Sequence, residues 1–508
     1  MSDVVDYSDR IGQRAQPTGI AKTMATGIAR TMATGFGAVV SIYFVIVAFC
    51  IYWLAFLPAG AVSWLVPRRM LERFALPLLV ASSIGAAALT QTVDTFFPDY
   101  SIPRDILLEL ALWCGVGVFA RCYLVYTTQP ATFDEVKTSI ASRWPDRWFA
   151  ANLHNPLDAA FTRVFIGNAI AMIPVTVLLL IPSTLNYFVV ALWSAALLLV
   201  LFPQDLIEHT HMHNRVFTPR IGSTPRVKRI LAMCQWLFEY PVTLLTIRMP
   251  EFYRVQHVYV HHVEDNGPDD TQSTMAFDRT SFLDFSRHAL VQGLDLLTGC
   301  LIIPYLQRKG KKRQLRELLQ GMAVFYAVVA VIALFNPIAA VLILVSRLVG
   351  GQILSFFAFF QHGLIDPRDV LNVHGNTINY EGDEHGHLGA DFHVEHHLKP
   401  ARHWSVYRDE AEKETAGHDE GHRAMVVEKG FYTPLGMMRA LWTRDYAGIA
   451  ARANMRGLGD DPAALASLMQ ARTRPIGEAE RTGWMATADR WLGFAMGWAL
   501  PIDRRVGP

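Results

Sequence analysis

Long apolar runs constrain this 508-residue chain more than any other feature. A helix of about 20 apolar residues crosses the hydrocarbon core of a bilayer, which is about 30 Å thick. Seven apolar runs lie at residues 36–57, 76–93, 106–126, 164–181, 187–202, 321–335 and 338–360. Only 18% of the residues are charged, against about 25% in soluble proteins. We therefore predict an all-α integral membrane protein with two transmembrane hairpins and extra N-terminal transmembrane helices.

Very short turns join the fourth run to the fifth and the sixth run to the seventh. The first turn reads Pro-Ser-Thr-Leu-Asn, and the second is Asn336-Pro337. Helices joined so tightly fold back as antiparallel hairpins. The basic segment 308–316 lies directly before the second hairpin, and such segments mark the cytosolic side. We therefore expect residues 203–320 and the chain after residue 361 in the cytosol, whereas the side of the N-terminus stays open.

The polar residues exclude several classes of protein. The net charge of +1 excludes a strongly cationic nucleic-acid binder. The five cysteines contain no CxxC pair, which excludes a disulfide framework and a fused rubredoxin-type iron site.

Histidine is the residue type that points to chemistry. Three clusters follow the hairpins: His209-Thr-His211-Met-His213, His257-Val-Tyr-Val-His261-His262 and His393-Val-Glu-His396-His397. On an α-helix, His209 and His213 share a face. His257 and His261 share one too, whereas His211 and His262 diverge. We therefore expect two nearby metal ions that share ligands from three segments.

The number of histidines favours iron. A lone histidine at a membrane boundary is more often structural than a ligand, but three dense clusters on one side are hard to explain as packing. Neutral imidazole suits iron, copper and zinc. Four ligands complete a zinc site, so eight or nine histidines fit two irons better.

The three clusters resemble the histidine boxes of the membrane-bound fatty acid desaturase and hydroxylase superfamily. They match these HxxxH, HxxxHH or HxxHH, and HxxHH boxes in order and in placement relative to two hairpins, over about residues 160–410. Phe359-Phe360-Gln361-His362-Gly363 looks like the family's lone histidine at the end of the last membrane helix. The run from His393 to Trp404 resembles the bacterial acyl-desaturase-like branch.

The resemblance implies nine iron ligands: His209, His213, His257, His261, His262, His362, His393, His396 and His397. A segment at 379–387 is similar to the NYxEH motif of alkane hydroxylases, with two extra residues before the histidine. His385 is therefore an alternative to His362 as the ninth ligand, or His385 and His387 donate hydrogen bonds around the ligands. We favour His362 because a helix end anchors it. We expect His211 beside the site or facing solvent.

Carboxylates near the clusters are candidate acceptors for metal-bound imidazoles, whose second N–H usually binds a carboxylate or carbonyl. Eight lie close in sequence: Asp205, Glu208, Glu264, Asp265, Asp269, Asp270, Asp391 and Glu395. The alternative for each is a solvated loop charge. We favour Asp205, four residues before His209, and Asp391, two residues before His393.

The resemblance implies an oxidase that uses two iron ions and O₂ as co-substrate to activate a C–H bond of a fatty acyl chain. Its expected partners are a fatty acid, acyl thioester or lipid substrate, membrane lipids, and a separate electron donor of the ferredoxin, rubredoxin or cytochrome type. Desaturation comes first by family frequency. Hydroxylation and oxidative decarboxylation to a terminal alkene use the same iron chemistry.

Other interpretations have less support. A soluble carboxylate-bridged di-iron bundle would use ExxH motifs at Glu208 and Glu384. It would give the second and third histidine clusters no role as ligands. A bis-histidine haem needs histidines inside the membrane helices. A metal transporter, with the clusters as cytosolic loading sites, needs ionisable residues in its spans. The two predicted hairpins hold almost no ionisable residues, and Arg347 is the main exception. Arg347 either breaks the helix or snorkels, or it binds a substrate carboxylate or head group.

These features divide the chain into four segments. They are a polar N-terminal tail (1–35), additional transmembrane helices (36–127), a desaturase-like transmembrane and di-iron catalytic domain (128–410), and a cytosolic amphipathic C-terminal region (411–508). We expect the last to lie against the catalytic domain or the membrane surface. The basic segment 308–316 either only sets topology or binds anionic lipid, coenzyme A or an acidic carrier protein.

Overall fold

The fold is known from a computed structural model. It describes residues 74–96, 102–127, 133–380, 389, 391–415, 425–427, 434–455 and 461–476. The predicted polar tail and the first apolar run, at 36–57, lie outside the described residues. Helices dominate the described part, which confirms the predicted all-α membrane fold.

The helices have the following bounds in chain order. They are α1 Ala75–Phe96, α2 Ile102–Thr127, α3 Phe133–Ser142, α4 Asp146–Asn152, α5 Ala159–Leu180, α6 Tyr187–Asn214, α7 Pro225–Leu237, α8 Thr243–Leu245, α9 Phe252–Gln256, α10 His262–Glu264, α11 Phe282–Thr298, α12 Ile302–Arg308, α13 Lys312–Phe335, α14 Pro337–Gln361, α15 Val373–Asn376, α16 His393–Leu398, α17 Tyr407–Thr415, α18 Pro434–Thr443, α19 Tyr446–Arg452 and α20 Pro462–Thr473. Two π-helical turns occupy Phe238–Val242 and His257–His261, and 3₁₀ turns occupy Pro156–Asp158, Pro182–Thr184 and Trp404–Val406.

Both predicted hairpins form, as α5–α6 and α13–α14. Asn186 caps α6 by accepting a hydrogen bond from the N–H of Val189 at 2.9 Å. Asn336 caps α14 in the same way and also donates to the Leu179 carbonyl at 3.1 Å. Asparagine is a favoured cap because its side-chain oxygen satisfies a free N–H of the first turn. The second hairpin is thereby tied to the end of α5.

Four helices of the described residues are long and apolar enough to cross a membrane: α5 with its preceding 3₁₀ turn, α6, α13 and the part of α14 up to Phe359. α11 and α12 pass the same test only as one span bent by 71°. The predicted runs 76–93 and 106–126 form α1 and α2, whose apolar stretches are shorter, at Ala75–Gln91 and Cys114–Thr127. The role of α1 and α2 as spans remains a prediction.

The outer faces of the second hairpin are apolar and exposed. Val331, Leu334, Phe335, Ile338 and Val341 are all more than half exposed. Large apolar faces of this kind are expected on a membrane protein, because lipid rather than water surrounds them. Inside, the hairpins pack around a cluster that includes the fully buried Trp193.

One small sheet departs from the purely helical prediction. It consists of three three-residue strands, β1 Ile378–Tyr380, β2 Met425–Val427 and β3 Ala453–Met455. β1 pairs with β2 in parallel, with Ile378 opposite Met425, and β3 runs antiparallel to β2. Such short strands carry no period-2 pattern long enough to be recognised in a sequence. β1 matters for the site because it fixes the start of α16.

The described part of the C-terminal region packs against α11 and α14. Met437, Met438, Leu441 and Trp442 of α18 are buried in a cluster with residues of α11 and α14. Beyond it, the end of α20 pairs with two loops: the N–H of Ile365 donates to the Arg472 carbonyl at 2.9 Å, and the N–H of Arg279 to the Thr473 carbonyl at 3.1 Å.

Candidate metal centre

Nine histidine side chains converge from the end of α6, the turn between α9 and α10, the end of α14, and α16. They form two groups, in each of which one nitrogen from every ring lies within 4.8 Å of the others. The five-histidine group is His209, His213, His257, His262 and His396, and the four-histidine group is His261, His362, His393 and His397. These are the nine residues that the family resemblance implied.

α6 presents its histidines on two faces. His209 and His213, one turn apart, both lie in the five-histidine group, as their spacing predicted. His211 lies elsewhere and is 2% exposed. Its Nε2 is 3.1 Å from Oε1 of Glu239, and its ring packs on Phe238. His211 therefore does not face solvent and belongs to neither group.

The second cluster departs from the predicted geometry. Residues His257–His261 form a π-helical turn, whose backbone hydrogen bonds span five residues instead of four. The sequence predicted that His257 and His261 share a face. Instead, His257 and His262 lie in the five-histidine group with Nε2 atoms 3.1 Å apart, and His261 joins the other group. The wider turn lets one short segment supply both groups.

α16 also divides its histidines between the groups. His393 and His397 are one turn apart in the four-histidine group, and His396 lies in the other. Asn379 of β1 fixes the first turn of this helix, because its side-chain oxygen accepts from the N–H of Val394 at 2.8 Å and its amide donates to Glu395 at 2.7 Å.

Ring nitrogens within the groups face each other at short distances. Nε2 of His396 lies 2.8 Å from Nε2 of His209 and 2.8 Å from Nε2 of His262. Nε2 of His393 lies 3.2 Å from the Nε2 atoms of His362 and His397. Two nitrogens that bind one metal at about 2.1 Å and at right angles lie about 3.0 Å apart. The donor atoms and their spacing therefore fit one metal ion in each group.

One unpaired nitrogen supports the same conclusion. Nε2 of His213 is buried and has no hydrogen-bond partner among the described residues. A buried polar atom without a partner is costly, so it calls for a ligand. A metal ion in the five-histidine group would satisfy it.

Outer contacts hold the imidazoles in place. Nδ1 of His261 lies 2.6 Å from Oδ2 of Asp270, and Nδ1 of His397 lies 2.9 Å from Oδ1 of Asp265. Nδ1 of His362 donates to the Asn376 carbonyl at 2.9 Å. Acceptors at Nδ1 keep the proton there and leave Nε2 free to bind a metal.

Electrostatics keeps the rings neutral. Burial, together with neighbouring imidazoles, lowers the pKa of His257, His262 and His396 well below the usual value. Burial and His261 lower the pKa of His362 to about 3. Neutral imidazole is the form that binds metals, so these side chains are ready for a metal at pH 7.

The two aspartates differ in the pKa of their carboxyl groups. Burial raises the pKa of Asp265 to about 6. Burial acts on Asp270 in the same direction, but His261 and the N–H of Gln272 outweigh it and lower the pKa of Asp270 below its usual value. Asp270 is therefore the firmer anion beside the site.

Of the two favoured acceptors, Asp205 does not occupy the predicted position. Asp205 forms an ion pair with Arg248 through Oδ1, and its Oδ2 has no hydrogen-bond partner among the described residues, so Asp205 accepts from no histidine there. Asp205 pairs with the Arg248 guanidinium because that group is positively charged, whereas a metal-binding imidazole is neutral. Asp391 accepts a hydrogen bond from the N–H of Tyr380 through its backbone carbonyl, and the role of its side chain as an acceptor stays a prediction. His385 and His387 lie outside the described residues.

The nine histidines all fall between residues 188 and 428, a segment that matches the family model described as Fatty acid desaturase. This segment belongs to the fatty acid desaturase family. The match confirms the resemblance to the membrane desaturase and hydroxylase superfamily. No curated protein and no solved structure matches the chain.

Elements on both sides of the matched segment contact it. α5, which completes the first hairpin, precedes the match, and α18 and α20 follow it. α20 nevertheless touches the loop at 272–279 that follows Asp270 and the loop that follows His362.

Sequence reasoning missed three residues around the candidate metal centre. Arg248 lies outside every histidine cluster and gives no motif. Asn376 acts through its backbone carbonyl, which every residue possesses. The hydroxyl of Tyr407, eleven residues after His396, lies 3.3 Å from Nδ1 of that histidine. Only a prediction that the chain folds back as a helix after Trp404 could have placed Tyr407 near His396.

Proposed function

We propose that this protein is an O₂-dependent, membrane-bound di-iron oxidase that attacks a C–H bond of a fatty acyl chain. The observation that carries the proposal is the pair of largely buried histidine groups inside the segment that belongs to the desaturase family. The donor set supports it, because nine neutral imidazoles exceed what zinc requires and suit iron.

The five-histidine group would hold one iron and the four-histidine group the other. When bound, the two irons supply the redox chemistry with O₂ that removes hydrogen from an unactivated C–H bond. The chain's own residues prepare the site. Asp270, Asp265 and the Asn376 carbonyl orient the imidazoles, and the buried position of the rings excludes water.

Desaturation is the first expected reaction. Hydroxylation and oxidative decarboxylation to a terminal alkene remain alternatives, because the product depends on which carbon the protein presents. A separate ferredoxin, rubredoxin or cytochrome would supply electrons. The basic segment 308–316 supports a cytosolic position for the histidines. In this proposal, residues 128–410 form the catalytic domain and residues 411–508 form a cytosolic region.

The test is a reconstitution of the full chain. The iron-loaded protein is supplied with a reductase system, O₂ and saturated fatty acids or their thioesters, and the products are identified by mass spectrometry. A double bond, an added oxygen or the loss of one carbon identifies desaturation, hydroxylation or decarboxylation. Metal flux in liposomes without O₂ consumption would instead support a transporter.

Variants test the ligand assignment. His261→Ala and His396→Ala should each abolish turnover and lower bound iron. His403→Ala is the control, because His403 lies outside both groups and contacts Asp158 with Nε2 3.0 Å from Oδ1. Unchanged iron and activity in both site variants would overturn the assignment.

A further inference from the structure

A partly open cavity lies beside the five-histidine group, between α6, α14 and the segment that leads into α9. Its walls include Leu201 and Asp205 of α6, Arg347 and Gly350 of α14, and Tyr253. The ring of Tyr253 stacks on His257 with centroids 5.2 Å apart and planes at 13°. One aromatic ring therefore separates the cavity from the candidate metal centre.

The cavity lies at the end of α6 that carries the histidines. Asp205 is four residues before His209, a rise of about 6 Å along the helix. Leu201 lies one turn further back, at the end of the apolar run of α6. The cavity is therefore at the boundary where the apolar part of the span meets the metal centre.

Two arginines line this cavity, and their charges are compensated differently. Arg248 forms ion pairs with Asp205 and with Glu208, the latter with Nη1 2.8 Å from Oε2. Arg347 is 7% exposed. In the described part of the chain, its one hydrogen bond runs from Nε to the Leu296 carbonyl at 3.2 Å. Its terminal nitrogens thus have no acceptor there, whereas Arg248 has two carboxylates.

A purely structural role accounts for only part of Arg347. Its Nε satisfies a carbonyl in the last turn of α11, where a cation is favourable. That contact uses one of the five N–H donors of a guanidinium. The Phe252 ring, with its centroid 5.7 Å from Cζ of Arg347, adds a cation–π contact but no oxygen that accepts from the remaining donors. A buried charge within a membrane span is expensive unless a partner compensates it, and such residues mark functional sites.

We infer that this cavity binds the carboxylate of a non-esterified fatty acid, with Arg347 as its partner. The inference rests on the proposed function and names the substrate form. The planar fork of a guanidinium matches a carboxylate. A thioester carbonyl carries no charge and would give the terminal nitrogens of Arg347 no anionic acceptor. Asp205 does not repel the ligand strongly, because Arg248 already pairs with it.

The first experiment measures equilibrium binding to the full chain in neutral detergent. The probes are hexadecanoate, its methyl ester and its coenzyme A thioester. Wild-type protein should bind hexadecanoate most tightly. Arg347→Met should weaken hexadecanoate binding by about ten- to a hundredfold, the loss expected for a charge-assisted hydrogen bond, and should change methyl ester binding by less than about threefold. Arg347→Lys should retain part of the affinity.

Two further variants separate ligand binding from folding. Arg316→Met removes an exposed arginine of α13 and should leave binding unchanged. Gly350→Leu tests the cavity without changing a charge, because a Cβ on Gly350 would meet no atom within 4 Å. The leucine should fill the cavity and weaken hexadecanoate binding while bound iron stays at the wild-type level.

The outcomes distinguish this inference from the proposed function. Equal wild-type affinity for the acid and its methyl ester, or equal losses for both in Arg347→Met, would overturn the carboxylate site. If phosphatidylglycerol binds through Arg347 and hexadecanoate does not, the carboxylate site is also overturned, in favour of a site for a lipid phosphate. If hexadecanoate binds through Arg347 but no form of the chain gives an O₂-dependent product, the oxidase fails and the carboxylate site stands.

Discussion

Asp270 offers the sharpest test of how the histidines are held. Its Oδ2 lies 2.6 Å from Nδ1 of His261 and accepts the N–H of Asn266 at 3.0 Å, while its Oδ1 accepts the N–H of Gln272 at 2.8 Å. Asp270→Asn keeps one side-chain oxygen and replaces the other with an amide nitrogen. At least one buried N–H therefore loses its acceptor, and the negative charge beside His261 disappears.

The magnitude follows from these contacts. An unsatisfied buried donor costs about 1–3 kcal/mol, so the metal-free protein should lose stability in that range. Loss of an outer partner typically lowers metal affinity by about ten- to a hundredfold. Because His261 belongs to the four-histidine group, we expect that group to lose its iron first, while the five-histidine group keeps its own.

The assay is iron content after dialysis against chelators of increasing strength, measured by elemental analysis. Asp270→Asn should pass through a stage with about one iron per chain that the wild type does not show. Asp269→Asn is the matched control, since Asp269 contacts Lys309 at 3.0 Å in a partly exposed position and such pairs contribute little. Equal loss of both irons, or none, would refute the assignment of His261 to a separate group.

Three other perturbations have defined outcomes. Removing iron with a strong chelator should lower the melting temperature of the wild type, because ligands that bind only the folded state stabilise it, and calorimetry with and without iron measures the shift. Asn336→Ala removes the cap of α14 and the bond to the Leu179 carbonyl, which should cost about 1–3 kcal/mol in the free energy of unfolding and leave iron content unchanged. Arg472→Met removes a buried ion pair, in which Nη2 of Arg472 lies 3.2 Å from Oδ2 of Asp366, so thermal unfolding should begin earlier, whereas Arg474→Met should not change it.

The hairpins were predictable because their signals are local. Apolar length defines the spans, and the asparagines at 186 and 336 stand where a capping side chain is needed. The α-helical spacing of His209 and His213 likewise placed both in one group. These features depend on residues within one or two turns of each other.

The remaining features depend on contacts that a sequence does not display. A π-helical turn reassigned His261 and His262, because α-helical spacing assumes four residues where the turn uses five. Asp205 forms an ion pair with Arg248, whereas its position four residues before His209 predicted a hydrogen bond to that histidine. Both departures occur where polar groups from distant segments meet, and there tertiary contacts outweigh local spacing.

The contacts of α20 affect the order in which the protein is built. The loop after Asp270 and the loop after His362 receive hydrogen-bond partners from residues 472 and 473, about a hundred or more residues later in the chain. A ribosome makes those residues only after both hairpins and all nine histidines have left it. The membrane helices can therefore be inserted before the two loops are fastened, and the candidate metal centre reaches its final form only after residue 473 has been made.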